Sequence, residues 1–213
     1  MSNLPVATRT FFGRQPHLQI LQQALDPGKT GLKGVVLYGL GGSGKTQIIL
    51  RYIHELGHLF TVILWINASN PEMLEQSYDE AAGLTVDMWP TRDVPNPYHG
   101  KSKAQRVTSR LRSTLHRQWL LVIDSFDGSL SDLPALIPRC HHGSVVVTTT
   151  KRQAAEVLES MSFSSLEVDY LDAENSQQLL ISKAGPEVID SSAAIDKTAM
   201  TCKLAFWPAD FTY

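Results

Sequence analysis

Eight residues, Gly39-Leu40-Gly41-Gly42-Ser43-Gly44-Lys45-Thr46, set four glycines around a lysine and a hydroxyl in the spacing G-x-x-x-x-G-K-[ST]. That combination suits an anion. Glycines at 39, 41, 42 and 44 let backbone N–H groups converge on a phosphate with no Cβ in the way. Lys45 supplies a charge for the β- and γ-phosphates, and the Thr46 hydroxyl supplies an oxygen for Mg²⁺. Ser43 within the loop and Gln47 directly after it join the same phosphate-contacting set. A second chemical position is Asp124, which ends the apolar run Trp119-Leu120-Leu121-Val122-Ile123. A carboxylate at the C-terminal edge of a buried strand, beside the phosphates, is placed to hold the water shell of magnesium. Thr46 and Asp124 are therefore the candidate metal residues, and Lys45, Asp124 and Asp127 the candidate catalytic ones. Asp127 either orients a water or merely decorates the loop before Leu130.

These residues need elements to hold them. Val35 to Tyr38 reads as a short apolar strand running into the loop, and residues 46–53 as a helix whose N-terminus faces the anion. Residues 60–67 form a second, nearly all-apolar strand of the kind buried on both faces in a parallel sheet. Asn70-Pro71 caps a helix over 71–83. Residues 84–100, with Pro90, Pro95 and Pro97, read as a long exposed loop. A basic helix is expected over 101–117, with Val107, Leu111 and Leu115 inward and its cations on a solvated face. Trp119 to Asp124 is the third strand and Ser144 to Thr150 the fourth, whose threonine-rich end brings hydroxyls, Thr150 among them, to the edge that holds Asp124. Lys151 and Arg152 follow, where a cation either senses a γ-phosphate or simply opens a helix over 152–160. A fifth strand at 165–168 and a helix capped by Asp172 complete the pattern. Strands alternating with helices predict an α/β fold of the three-layer P-loop NTPase type, a five-stranded parallel sheet covered by helices on both faces. Ligands in such sheets bind at the carboxyl ends of the strands.

The remaining features are weaker. Residues 1–10 lack periodicity and read as a loose tail. Phe11-Phe12-Gly13-Arg14 precedes a helix opened by Pro16; these residues either line an adenine pocket or form a helix-start staple with a surface arginine. Cys140-His141-His142 has no second ligand cluster and reads as a turn rather than a metal site. At 213 residues and 43% hydrophobic, the chain suits one α/β domain with a small appendage. A formal net charge of −2 gives no basic surface for nucleic acid, and two cysteines suit a reducing compartment. No apolar run approaches the ~18 residues of a membrane span, so a cytoplasmic location is expected.

Taken together the motifs resemble the NB-ARC domain of NOD-like, signal-transducing (STAND-class) P-loop ATPases, the fungal members in particular. The matching stretches are Phe11 to Arg14, Gly39 to Thr46, Leu64-Trp65-Ile66-Asn67-Ala68, Leu120 to Asp124, Gly143 through Thr149, and Leu171-Asp172-Ala173-Glu174 with Leu179-Leu180. They cover residues 10–183 in the family's order. The resemblance implies a switch that holds ADP when closed, exchanges it for ATP with Mg²⁺, oligomerises or pairs with related proteins, and hydrolyses slowly at most. It also implies that Phe12 and Arg14 contact the adenine side. Two positions depart from the family: Ser125 stands where a second acid or Asn often follows the strand-end aspartate, and Thr150 stands where an arginine usually follows the paired threonines. The expected organisation is a tail at 1–10, the nucleotide-binding domain at 11–185, and a helix and tail at 186–213. That last segment reads as the truncated start of a helical lid, with no Gly-Leu-Pro-Leu motif and no winged helix after it.

Two other readings stay open. A hydrolysis-deficient interaction module could pair with full-length relatives, since the lid is missing and the sensor positions are altered. A small-molecule kinase would need a lid with several arginines. Arg92, Arg106, Arg110 and Arg112 are present, but the Pro-rich loop beside them is not an obvious lid.

Overall fold

The protein is described by a computed structural model over residues 4–84, 102–112 and 118–184. The chain runs α1 (Gln15–Ala24), β1 (Lys33–Tyr38), α2 (Lys45–Leu56), β2 (Val62–Asn67), α3 (Pro71–Leu84), α4 (Lys103–Leu111), β3 (Trp119–Asp124), β4 (Ser144–Thr149), α5 (Arg152–Glu159), β5 (Ser164–Glu167) and α6 (Ala173–Ala184). The five strands make one sheet in the order β2-β3-β4-β1-β5, all parallel. The expected five-stranded parallel sheet is present. Most of the expected 84–100 loop, Leu115, and the segment 186–213 lie outside the described residues.

Side chains alternate across a strand, so each buried strand feeds two cores. Val35, Leu37, Leu120, Val122 and Val146 face α1 and α2, which bury Leu18, Leu21, Ile48, Ile49 and Tyr52 against them. Val36, Leu64, Ile66, Leu121, Ile123, Val145 and Val147 face the other way, onto Tyr78 and Ala81 of α3, Val107 and Leu111 of α4, and Ala154, Ala155 and Leu158 of α5. Each fully buried aliphatic side chain contributes roughly 1.5–3 kcal/mol of transfer free energy. The middle strands β3 and β4 are buried throughout. Helices thus cover both faces, as expected. No helix among the described residues is long and apolar enough to cross a membrane.

Two elements differ from expectation in ways the contacts explain. The basic helix begins at Lys103 because Ser102 and Gln105 form a capping box: the Gln105 N–H donates to Ser102 Oγ at 3.2 Å, and the Ser102 N–H to Gln105 Oε1 at 3.0 Å. Its basic face is also not simply solvated. Lys103 Nζ pairs with Asp79 at 3.3 Å and Arg110 Nη1 donates to the Ala82 carbonyl at 2.6 Å, so this face helps dock α4 on α3. The fifth strand starts at Ser164 rather than Ser165, set by its pairing of Val35 with Ser164 through Tyr38 with Glu167.

The β3–β4 pair that carries the strand-end groups rests on one tight contact. Gly143 enters β4 at φ +85°, and a Cβ there would lie 2.1 Å from the Trp119 indole, itself fully buried. Gly143→Ala combines left-handed backbone strain with overpacking. It is expected to destabilise the fold by about 2–4 kcal/mol, read as a lower urea midpoint with an unchanged slope.

Candidate nucleotide-binding site

β1 ends at Tyr38 and β3 at Asp124, and the strand order puts β4 between them. The glycine loop after β1 and the carboxylate after β3 therefore straddle the threonines at the end of β4. Gly41, Gly42, Gly44, Lys45, Thr46, Gln47, Ser125, Asp127, Thr149 and Thr150 together line a groove of about 420 Å³. A Cβ at 41, 42 or 44 would meet no atom of the chain, so these glycines border open space. Gly39 has a different reason. At φ +147° its missing Cβ would lie 2.3 Å from the Val168 carbonyl, so only glycine lets the loop leave β1 alongside the chain after β5.

Within the loop, Lys45 Nζ donates to the Gly39 and Leu40 carbonyls at 2.8 Å each and reaches Ser43 Oγ at 3.4 Å. Burial pushes the Lys45 ammonium below its ordinary pKa, while Asp127 and then Asp124 push it back up. Thr46 Oγ1 donates to Asp124 Oδ1 at 2.9 Å, and Thr148 Oγ1 donates to the same oxygen at 2.7 Å. Burial raises the Asp124 carboxyl above the usual Asp range. The Thr148 and Thr46 hydroxyls, Lys45 and the Ser125 N–H oppose that rise, in that order. With the Thr46 proton committed to Asp124, the hydroxyl keeps its lone pairs for a cation. The donor set is oxygen only, and no cluster of three His, Cys, Asp or Glu residues is present among the described residues. Such a site suits Mg²⁺, which keeps several waters and takes phosphate oxygens instead of a full protein cage.

Asp127 stands on the opposite wall. Its Oδ1 accepts from the Thr150 hydroxyl at 2.7 Å, the Thr150 N–H at 3.1 Å and, more weakly, the Thr149 hydroxyl at 3.4 Å. Lys151 turns onto the loop, its ammonium donating to the Asp127 carbonyl at 2.6 Å and the Gly128 carbonyl at 2.8 Å. Arg152 is not among the groove-lining residues; it opens α5, and its charge acts on the Tyr38 hydroxyl, which donates to Glu167.

The aromatic segment upstream divides its tasks. Arg14, in left-handed backbone at φ +66°, donates through Nη2 to the Ser43 carbonyl at 3.1 Å and also to the Asp169 carbonyl. It clasps the glycine loop to the chain after β5, and Asp169 and Asp172 favour its charge against desolvation. Phe12 is half-buried beside it. Phe11, one of the aromatic pair offered for an adenine pocket, lines a cleft of about 240 Å³ with Thr8, Gln47, Arg51 and His54, and carries the Arg51 guanidinium 5.7 Å from its ring centroid. The Thr8 N–H donates to Gln47 Oε1 at 3.0 Å, so residues 4–10 run against α2 there. Gln47 lines both the cleft and the groove, and the two meet at that residue.

Thr148 is not named individually by the sequence reading, and Ser125 only as a departure from the family pattern. Thr148 was visible only as one of a run of threonines. Ser125 adopts φ +60°, a conformation no sequence pattern announces for serine. Cys140, His141 and His142 form a turn before β4: Cys140 Sγ donates to the His142 carbonyl, and His142 Nε2 lies 3.0 Å from the Leu111 carbonyl.

A glycine loop between a parallel strand and a helix, with a lysine inside it and a hydroxyl bonded to a strand-end carboxylate, defines a P-loop nucleotide-binding domain. Residues 10–147 match the family model described as the AAA ATPase domain, and the chain belongs to that family. It is also similar to a probable disease resistance protein of Arabidopsis thaliana, 25% identical over 179 residues, covering 80% of this chain and 24% of that protein. Among solved structures it is similar to Cdc6p from Pyrobaculum aerophilum, with a TM-score of 0.55 at 15% identity, covering 82% of this chain and 50% of that one. The Aeropyrum pernix ORC2 protein, solved as ADPNP–ADP complexes, gives 0.50 at 15% identity, with 83% and 52% coverage. Drosophila ORC bound to DNA gives 0.54 at 17% identity, with 90% and 51% coverage. At these identities the solved structures establish the fold. This chain spans about half the length of the solved relatives and about a quarter of the plant protein. The family shown is thus broader than the NB-ARC resemblance, and the disease-resistance relative is a plant protein, not a fungal one.

Asp124→Asn separates the functional from the structural part of this site. Because burial raises the Asp124 pKa, its charged form costs folding free energy at neutral pH, a cost that disappears as pH falls through the raised pKa. The Asn variant is expected to unfold at an equal or higher temperature than wild type at pH 7, with the gap closing toward acid pH. Calorimetry across pH checks this, and a variant less stable than wild type at pH 7 contradicts it.

Proposed function

We propose that this domain is the ATP- and ADP-binding core of a signalling switch of the NB-ARC type, loaded with Mg²⁺ and hydrolysing ATP slowly at most. The observation that carries the reading is that Lys45 and Thr46 line one groove with the loop glycines while the Thr46 hydroxyl is bonded to the buried Asp124 carboxylate just behind it. Phosphates would lie along Gly41, Gly42, Ser43 and Gly44 with Lys45 as their cation. Thr46 and Asp124 would hold Mg²⁺, which supplies charge neutralisation on the phosphate oxygens. The base would extend past Gln47 toward the cleft at Phe11, with Phe12 and Arg14 on the same side; Arg14 then acts by holding the loop through the Ser43 carbonyl. Thr150 and Asp127 face the phosphate end. Asp127 would position a water there, and its three accepted hydrogen bonds hold the carboxylate for that task. Arg152 is not among the groove-lining residues and is given no phosphate contact in this reading.

Support for a nucleotide comes from family membership and from a fold neighbour solved as ADPNP–ADP complexes. Support for the switch comes from the plant disease-resistance relative and from the order of the six motifs. Oligomerisation or pairing with related proteins belongs to the same proposal. The DNA in the Drosophila ORC structure is a ligand of that assembly, and nothing in this chain's net charge of −2 favours it here.

Titration with fluorescent ADP and ATP, on wild type and Lys45→Ala, tests the reading. Removing a charge-assisted contact costs roughly 1.5–3 kcal/mol, so affinity should fall about tenfold to a hundredfold. Equal binding by both proteins would place the nucleotide elsewhere. Phe11→Ala should weaken ADP several-fold while leaving inorganic triphosphate binding at its wild-type level, because only the base side of the site changes.

A further inference from the structure

We propose that Thr148 is a positioning residue that aims Asp124 at the metal, and that the left-handed backbone at Ser125 serves to direct the Thr148 proton. The inference rests on the reading of Asp124 as a magnesium-holding group. Thr148 is 1% exposed and lies on β4, between β3, which ends at Asp124, and β1, which leads into the loop before Thr46. A hydroxyl has one proton and can point it in several directions. Here the choice is removed. The Ser125 N–H donates to Thr148 Oγ1 at 2.7 Å, which fills an acceptor position on that oxygen and turns the proton toward Asp124 Oδ1, 2.7 Å away. The result is a short relay, Ser125 N–H to Thr148 O–H to Asp124 carboxylate.

The relay has a cost that shows it is built. Ser125 sits at φ +60°, where a non-glycine side chain is strained by about 1–2 kcal/mol. That turn brings its N–H onto the hydroxyl; the next residue, Phe126, donates its own N–H to the Thr148 carbonyl at 2.8 Å, so two consecutive amides clamp one threonine. The clamp matters because Asp124 is desolvated and, among the described residues, its Oδ1 accepts from one further side chain, Thr46. Thr46 is the group that must also serve the cation. Thr148 therefore holds the carboxylate independently of what Thr46 does, leaving the rest of the carboxylate for the metal's shell.

The experiment compares wild type, Thr148→Val, Thr148→Ala and Thr148→Ser for ADP affinity in Mg²⁺ and in EDTA, each checked for folding by circular dichroism. Loss of a hydrogen bond to a charged group predicts that the ratio of the two affinities falls about tenfold in the Val and Ala variants. Thr148→Ser, which keeps the hydroxyl, should restore most of the ratio. A crystal structure of Thr148→Val without nucleotide should show Asp124 turned from its wild-type rotamer. The proposal is overturned if the Val and Ala variants keep the wild-type ratio, if they lose affinity equally in Mg²⁺ and EDTA, or if Asp124 stays in place in the crystal. Wild type showing no Mg²⁺ effect, or none that Asp124→Asn abolishes, defeats the magnesium reading of Asp124 instead. The crystal structure then still decides whether Thr148 aims the carboxylate.

Discussion

A carboxylate taken out of water must be compensated, and here the compensation organises the site. Asp124 is 8% exposed, and its Oδ1 receives hydroxyl protons from two separate elements, Thr46 at the start of α2 and Thr148 on β4. Neither is near Asp124 in sequence. Each bond can form only when β1, β3 and β4 lie side by side with their carboxyl ends level, as the parallel ladder requires through the pairs Tyr38 with Thr149 and Ile123 with Val147. A one-residue slip of β4 would turn its side chains to the opposite faces of the sheet. The register of the sheet and the electrostatics of the site are therefore one constraint, and each makes the other costly to change.

Lys45 shows the same logic with the opposite sign. The residue is 8% exposed and its ammonium is met by two backbone carbonyls of its own loop, with Asp127 and Asp124 supplying the longer-range negative charge. The loop can turn its carbonyls inward because the glycines carry no Cβ to block the turn. α2 begins where the loop ends, and its dipole favours an anion there. One loop thus satisfies a buried cation and leads directly into a helix N-terminus.

Much of this was legible in the sequence because it is written in local patterns. The glycine spacing around Lys45 and Thr46, the apolar runs ending at Asn67, Asp124 and Thr149, and the alternation of strand and helix each mark an element within a dozen residues. Burial on both faces makes β3 and β4 continuously apolar, so they stand out. The rest was less legible because it depends on pairing between distant segments. That β4 inserts between β1 and β3 is a topological fact, and the roles of Thr148 and Ser125 follow from it. The start of α4 turned on a capping box, Ser102 with Gln105, that a count of basic residues overlooks. Its cations faced α3 because Asp79 and the Ala82 carbonyl lie there, which no helical wheel of α4 alone can show.

Arg14 shows how the site is tied to the chain beyond the sheet. Its guanidinium bridges the Ser43 carbonyl of the phosphate loop and the Asp169 carbonyl after β5, while Gly13 beside it leaves room only for Asn175 of α6, 2.9 Å from where a Cβ would stand. Asn175 is itself fixed by Asp172, which caps α6 through the Asn175 N–H at 2.8 Å and its side chain at 2.7 Å. The segment before α1, the phosphate loop and the start of α6 thus meet in one cluster of polar contacts on the β5 side of the sheet. Among the described residues of α6 none is fully buried against either core. An element with little apolar anchorage takes its position from the contacts at its N-terminus, and here those contacts include the arginine that also holds the phosphate loop. Any shift of Ser43 is therefore felt at Asp169 and the start of α6 before it is felt in the packed cores, where bistable movement would be far more expensive.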